Sequence, residues 1–509
     1  MRSPVVAALT DPAIYPHPVD RVELIETHIS WVFLAGERVY KVKKPVDLGF
    51  LDFTTLERRR FFCEEEVRLN RRLSHDVYLG VIELNGTGEI RIGGTGPTAD
   101  VAVMMRRLPH DRMLDELVRR DAADPALVEE LGRIVARFHA AAPTGGEIDE
   151  LGGLATVSAN WSENFVQTTK LSPEVLPEEW HRSLQSWVQT FMAREAPRFA
   201  ARVAAGRSRD CHGDLQAQHV CCTEPIQIFD CIEFNHRFRY GDVAGEIAFL
   251  AMDLDRLGRP DLALRFLNAY LDASGDYDAV PLLDFYRAYR AFVRGKVLSF
   301  QIAERPETAA KARDRFALAV RYAERRERPR LLITTGVIGS GKSTVARQIA
   351  ARLGAIVVRT DAVRKRLAGL ALSEHRRVGF GEGLYSPEMA ARTYAEALSV
   401  AIDIVRAGWP VIVDGAFSSA GQRGLARDAA RQAGAGFAVL WCDAPDAVLV
   451  ERLRRRAHDP EEVSDAGVGL LAEHRAHYAP PDREPDTIRI DTTAGAAGAA
   501  EKAVDELCR

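Results

Sequence analysis

No run of about 18 apolar residues occurs anywhere in the 509-residue sequence, so no segment has the make-up of a membrane-crossing helix. Cysteine is scarce. The seven present are an odd number without a CxxC pair, which excludes a disulfide framework and the common zinc templates and leaves them as small buried apolar residues. The N-terminal MRSPVVAALTDP lacks the apolar core of a secretory signal, and with the cysteine usage this predicts a reducing, cytoplasmic setting. An excess of either charge is missing too: 68 Lys and Arg stand against 72 Asp and Glu, so no global field favours nucleic acid or a membrane surface. What the chain has is length. At 509 residues it exceeds what one hydrophobic core holds, and at least two domains are expected.

The most specific stretch is Gly336 to Thr344, GVIGSGKST, which follows the apolar Leu331, Leu332 and Ile333 and precedes the helix-prone KSTVARQIAARLG. The spacing GxxxxGK[ST] between strand and helix is that of a phosphate-binding loop, whose glycines let backbone N–H groups approach phosphate oxygens. Gly336, Gly339, Ser340 and Gly341 form the cradle, Lys342 reaches the β and γ phosphates, and Ser343 offers its hydroxyl to Mg²⁺. Thr344 follows in the first turn of a helix whose N-terminal dipole favours the anion. A chance glycine-rich turn is the bland alternative, and the flanking strand and helix argue against it. ATP and Mg²⁺ are the expected cofactors.

Upstream, three β-prone runs, VELIET, ISWVFLAG and RVYKVKK, place Val39, Lys41 and Lys43 on one strand face. A strand lysine is either functional or an edge-strand guard against aggregation. The stretch TTLERRRFFCEEEVRLNRRLS reads as a helix capped by Thr54 or Thr55 and carrying Glu64, Glu65 and Glu66. Strand-like VYLGVIEL, GEIRIGG and ADVAVMMRRL follow, and from Asp111 the pattern is helical almost to Asp210. A small sheet-rich lobe, about residues 20–108, is thus expected before a helical lobe, about 109–325.

The second chemical signature is CHGDLQAQHV followed by the apolar IQIFDCIEF, which sets Asp214 and Asp230 sixteen residues apart. With a strand lysine and a helix glutamate ahead of it, this constellation resembles the aminoglycoside phosphotransferase branch of the protein-kinase-like fold, over about residues 20–325. The resemblance implies an α+β bilobal domain in which Lys41 grips the α and β phosphates, Glu66 pairs with it, Asp214 is the catalytic base and Asp230 holds Mg²⁺. Whether Lys41 or Lys43 meets the nucleotide stays open. Asp242 matches the family aspartate that hydrogen-bonds the catalytic-loop backbone, or else is a plain helix cap. Where the family has an asparagine as second metal ligand, this chain has His219, a poorer Mg²⁺ partner that reaches a metal water or Asp230, or is simply a core histidine. The segment ETHISWVFLAGE has a single glycine, so no glycine-rich lid covers the phosphates.

Between Val280 and Arg328 the pattern is helical and charged, ending in a linker at ERRERPR. Beyond the phosphate loop, AIVVR, PVIVD, FAVLW and DTIRI alternate with helical segments, the signature of an α/β domain with a mostly parallel, doubly wound sheet over residues 326–509. Ligands sit at the carboxyl ends of such strands. Asp361 and Arg364 fall there after AIVVRT, and Asp414 after VIV. This DxxR pair resembles that of zeta-toxin, polynucleotide-kinase and gluconate-kinase P-loop enzymes, which implies Asp361 as acceptor base and Arg364 on phosphate; the alternative is Asp361 as a helix cap. Asp414 serves Mg²⁺ through water or fixes Arg364. Arg452 and Arg456, four apart in VLVERLRRRAHD, lie on one helix face as candidate lid arginines, with Arg423 a further one; solvated surface charge is their alternative. The stretch with Ser464 and Asp465 resembles one found in small kinases of this group.

The whole sequence therefore resembles a fusion of an aminoglycoside phosphotransferase-like domain, residues 1–325, with a zeta-toxin-like P-loop kinase domain. The function expected is ATP-dependent phosphoryl transfer to the hydroxyl of a small molecule, at two nucleotide sites. Two rivals stand beside it. In one, the first domain is a degenerate kinase, marked by His219, that senses a ligand and gates the second. In the other, the second domain phosphorylates nucleic-acid 5′-hydroxyls, which the balanced charge disfavours.

Overall fold

Alternation of side chains along the first strands builds a sheet with a different job on each face. The computed structural model describes residues 3–325, 329–372, 374, 383–456, 471–493 and 495–507. Strands β1 (Val22–Glu26), β2 (Ser30–Ala35), β3 (Arg38–Lys43), β4 (Tyr78–Asn85), β5 (Arg91–Ile92) and β6 (Thr98–Arg106) form one sheet in the order β1-β2-β3-β6-β4-β5. All of its pairings are antiparallel. On β3, Tyr40 and Val42 join Phe33, Leu84 and the N-terminal Val5 and Leu9 in a core on one face. Val39 turns to the other face, against Cys63 and Val67. Lys41 and Lys43 share that second face, as the alternation predicts.

Cys63 and Val67 belong to the helix Leu56–Asn70, whose N-terminus is closed by Thr55 Oγ1 accepting from the Arg58 amide at 3.3 Å. Cys63, Glu66, Val67 and Asn70 fall three and four apart and are all buried, so one stripe of this helix faces the sheet and carries Glu66 to the lysines. Downstream, β7 (Ser208–Asp210) pairs with β10 (Tyr240–Asp242), and β8 (Val220–Cys221) with β9 (Gln227–Ile228). The apolar run IQIFDCIEF is a strand only as far as Ile228. Asp230 sits at φ +64°, in the left-handed region, so the chain turns there where the sequence pattern alone reads on as strand.

The C-terminal sheet is wholly parallel. Strands β11 (Arg330–Thr335), β12 (Ile356–Arg359), β13 (Val411–Asp414), β14 (Gly436–Asp443) and β15 (Thr487–Asp491) lie in the order β12-β13-β11-β14-β15. They fall on the four apolar runs and the run before the phosphate loop, and their near-continuous burial is that of a sheet covered on both faces. The order reverses direction around β11, which puts the phosphate loop at the switch point.

By packing, the chain forms two compact units: Met1–Asp124 with Phe138–Thr169 and Gln189–Asp253, and Pro125–Arg137 with Lys170–Val188 and Leu254–Arg509. Within the second, the helix Pro260–Ser274 covers the outer edge of β12. Asn268 donates to the Ala355 carbonyl at 3.1 Å and accepts from the Val357 amide at 2.8 Å, and the Tyr277 hydroxyl donates to the Val357 carbonyl at 3.2 Å. An asparagine side chain thus supplies the hydrogen bonds that a further strand would give. Cys63, Cys211, Cys221, Cys222, Cys231 and Cys442 are all buried. Among the described residues no helix is long and apolar enough to cross a membrane.

Candidate active sites

Two lysines and three carboxylates meet beside β3. Lys41 Nζ lies 2.8 Å from Glu66 Oε1 and 2.7 Å from Asp230 Oδ1. Lys43 Nζ lies 2.7 Å from Glu66 Oε2 and also binds Glu233 Oε1. The two lysines that the sequence leaves open differ in their surroundings. Lys41 points to Asp230, whose side chain remains 43% exposed, whereas Lys43 is 1% exposed and ties Glu66 to the loop after Asp230. Burial alone lowers the Lys41 pKa, but Asp230, then Glu66 and Glu233, hold it well above the ordinary value, so it stays cationic. Desolvation likewise pushes Asp230 up, yet Lys41 and then His219 hold it well below the usual carboxylate range. Asp230, held ionised and the most exposed of the three carboxylates, is the one that could offer an oxygen to a divalent cation.

Asp214 reaches this cluster on a loop whose backbone is pinned from below. Gly213 adopts φ +88°, and a Cβ there would stand 3.0 Å from the Phe238 carbonyl oxygen, so only glycine lets the loop pass. The amides of His212 and Gly213 both donate to the Glu246 carboxylate, at 2.9 and 2.6 Å, and His139 Nε2 binds it at 2.9 Å. Burial drives the Glu246 pKa up, but the His139 hydrogen bond and charge, with His212, outweigh it and hold it at about 2. Of the two sequence readings of Asp242, the helix cap is the one that holds. Asp242 instead takes the Arg202 guanidinium in a two-pronged pair at 2.7 Å and caps the following helix by accepting from the Ala244 amide at 2.8 Å. The loop-holding carboxylate is Glu246, one helical turn on.

Asp214 Oδ1 accepts from Gln216 Nε2 at 2.7 Å, and the side chain is 27% exposed. His219 Nδ1 donates to the Asp214 carbonyl at 2.8 Å, and its Nε2 lies 3.1 Å from the Gln218 amide nitrogen and 3.6 Å from Asp230 Oδ2. His212 is kept neutral by burial, donating from Nε2 to the Phe229 carbonyl at 3.0 Å. Glu233, Glu246 and His139 escaped the sequence reading, and no motif flags them.

In the second site the loop after β11 matches its motif. Gly336, Gly339 and Gly341 all have positive φ, and a Cβ on Gly336 would stand 2.4 Å from the Cys442 carbonyl oxygen. Lys342 Nζ lies across the loop, donating to the Gly336 and Val337 carbonyls at 3.0 Å, while the Ser340 hydroxyl is buried with no hydrogen-bond partner. Ser343 and Thr344 follow in the first turn of the helix Lys342–Leu353. Such a cradle of amides, cation and unpaired hydroxyl fits a nucleotide phosphate chain. Nearby, His474 is pushed down to about 4 by burial and by Lys342.

Asp361 and Arg364 ion-pair with each other on the helix Thr360–Leu367 at the end of β12. The cap position of that helix is Arg359, so Asp361 is not the cap. Arg364 packs on the Tyr385 ring at 4.8 Å, and its Nε is buried without a hydrogen-bond partner, a donor suited to a phosphate oxygen. Asp414 ends the neighbouring strand β13, where its Oδ1 accepts from the Thr334 hydroxyl at 3.0 Å. Arg364 is thus held by Asp361 rather than by Asp414. The lid expectation changes for Arg423. Arg423 is 1% exposed and bound to Glu484 at 2.7 Å and to the Phe417 carbonyl at 2.9 Å, a structural pair. Arg452 binds the Thr492 hydroxyl at 3.0 Å beside Gly341. The Arg456 side chain, Ser464 and Asp465 lie outside the described residues.

Comparisons with known proteins match two separate stretches of the chain. Residues 63–283 match the family described as phosphotransferase enzyme family, and residues 331–481 that described as AAA domain. An uncharacterized protein of Mycobacterium tuberculosis (strain ATCC 25618 / H37Rv) and one of Mycobacterium bovis are each 34% identical over 497 residues, covering 96% of this chain and 96% of the relative. Among solved structures, a choline/ethanolamine kinase family protein from Mesorhizobium loti aligns with 64% of this chain and 96% of its own, at 15% identity and a TM-score of 0.40. A gluconokinase from Sinorhizobium meliloti covers 36% of this chain and 98% of its own, at 21% identity and a TM-score of 0.25. The chain belongs to one family with its mycobacterial relatives, and in it a match to the phosphotransferase enzyme family is followed by an AAA domain with a phosphate-binding loop.

Proposed function

We propose that the chain is an ATP- and Mg²⁺-dependent kinase that transfers the γ phosphate to an alcohol group of a small molecule, with one nucleotide site in each part. The observation that carries the reading is Lys41 bound at once to Glu66 and Asp230, with Asp214 on a loop pinned by Glu246. Lys41 neutralises the α and β phosphates, and Asp214 accepts the proton of the acceptor hydroxyl as its oxygen bonds to the γ phosphorus and the bond to ADP breaks. Mg²⁺, when bound, supplies positive charge to the phosphate oxygens, and Asp230 is the residue that would hold it. In the second site Lys342 and the loop amides take the phosphates, Asp361 the acceptor proton and Arg364 the charge on the transferred group; Ser343, with Asp414 behind it, would hold the metal.

A second reading has one observation in its favour. His219 has no oxygen to offer Mg²⁺ and has both ring nitrogens engaged within its own loop, which suits a first site that binds nucleotide and gates the second. Labelled ATP offered to a metabolite extract separates the two. With full-length Lys342→Ala, a labelled alcohol phosphate that disappears in Lys342→Ala/Asp214→Asn supports transfer by the first site. No product from Lys342→Ala, with product from Asp214→Asn, supports the gating reading.

A further inference from the structure

The helix Pro260–Ser274 does more than cover the edge of β12. Asp272 Oδ2 accepts from Arg359 Nη1 at 3.0 Å, and the Asp272 carbonyl accepts from Arg366 Nη1 at 3.0 Å. These arginines bracket the helix Thr360–Leu367: Arg359 stands at its first flanking position and Arg366 lies in its last turn. One residue therefore grips both ends of the helix that carries Asp361 and Arg364. The fit is close. Arg366 passes over Gly275, where a Cβ would stand 2.8 Å from Arg366 Cδ, and packs on the Tyr277 ring at 5.6 Å.

We propose that Asp272 is a positioning residue for the second site, holding the Arg359 cation away from the Asp361 carboxylate so that Asp361 keeps its capacity to take a proton. The proposal rests on the reading of Asp361 as acceptor base. Burial pushes the Arg359 pKa down, and Asp272 first, then Asp414 and Asp361, raise it; three carboxylates compete for one guanidinium. Asp272, the largest of these influences, is hydrogen-bonded to it. Asp361 already shares Arg364, and Tyr394 lies within electrostatic reach of both. A second arginine on Asp361 would stabilise the charged form and weaken the base.

The test uses the full chain carrying Asp230→Asn, which disables the first site, with Mg·ATP as probe and water as acceptor in single-turnover hydrolysis. Adding Asp272→Ala is expected to lower the rate roughly 10- to 100-fold with the ATP dissociation constant unchanged, because the defect lies in proton transfer. Adding Arg359→Met to that variant is expected to restore most of the rate, since no second cation beside Arg364 then reaches Asp361. A merely structural brace would not be rescued by removing a second contact. An unchanged rate in Asp272→Ala, or no rescue by Arg359→Met, overturns the proposal. Should Asp272→Ala fold poorly, Asp272→Asn keeps the acceptor oxygen and halves the test to charge alone, with the same rescue required. Hydrolysis insensitive to Lys342→Ala and Asp361→Asn would instead overturn the reading of the site itself, and the proposal with it.

Discussion

Replacing Glu246 by glutamine isolates the pin beneath the catalytic loop. The carboxylate accepts from the His212 amide, the Gly213 amide and His139. A glutamine keeps one oxygen and turns an NH₂ group toward a buried donor, and an orphaned amide costs roughly 1–3 kcal/mol. Linkage gives a similar figure. Holding the carboxyl at about 2 instead of its ordinary 4.5 is worth about 3 kcal/mol at neutral pH. Because the folded pKa is the depressed one, this stability is fully present above about pH 4.5 and is lost as pH falls through about 2. Glutamine cannot titrate. The gap between wild type and Glu246→Gln is therefore expected to be about 3 kcal/mol at pH 7, or roughly 6–12 °C in melting temperature for a unit of this size, and less than half of that at pH 3. Urea denaturation at the two pH values, with amide exchange at His212 and Gly213, measures it. A gap that stays constant with pH, or exchange unchanged at both amides, refutes the argument.

Lys43→Met leaves Glu66 and Glu233 buried with one lysine between them and is expected to cost about 3–5 kcal/mol by thermal unfolding. Lys41→Met, in a Lys342→Ala chain, is expected to weaken Mg·ATP binding by calorimetry far more than Lys43→Met does. Asp361→Asn should bind Mg·ATP normally and lose roughly two to four decades of transfer in single-turnover assays, and a wild-type rate would remove Asp361 from the chemistry. Arg423→Met is expected to lower the melting temperature and leave turnover at 25 °C unchanged; a turnover loss in a stable variant would return Arg423 to the lid.

Periodicity made the strands readable, because burial on one face or two leaves its mark on each residue in turn. The phosphate-loop motif was readable because backbone geometry there demands particular residues at fixed spacing, as at Gly336 and Gly341. What pattern cannot choose is which of two acids, a helical turn apart, faces inward: Asp242 and Glu246 both sit near one helix start, and only packing sends Glu246 under the loop. A buried arginine such as Arg423 has the same letter as a catalytic one. The left-handed turn at Asp230 and the reach of Asn268 to Val357, 89 residues apart, are products of tertiary structure with no local trace.

The borrowed edge of β12 bears on how the protein can be cut. A fragment begun near Pro329 would keep every phosphate-loop residue and still lose Asn268, Asp272 and Tyr277. The Ala355 and Val357 carbonyls and the Val357 amide would face outward on a short, apolar strand, the arrangement that recruits a strand from another molecule. Such a fragment should come out of expression as oligomers or inclusion bodies, and a start upstream of Pro260 should yield a dispersed product.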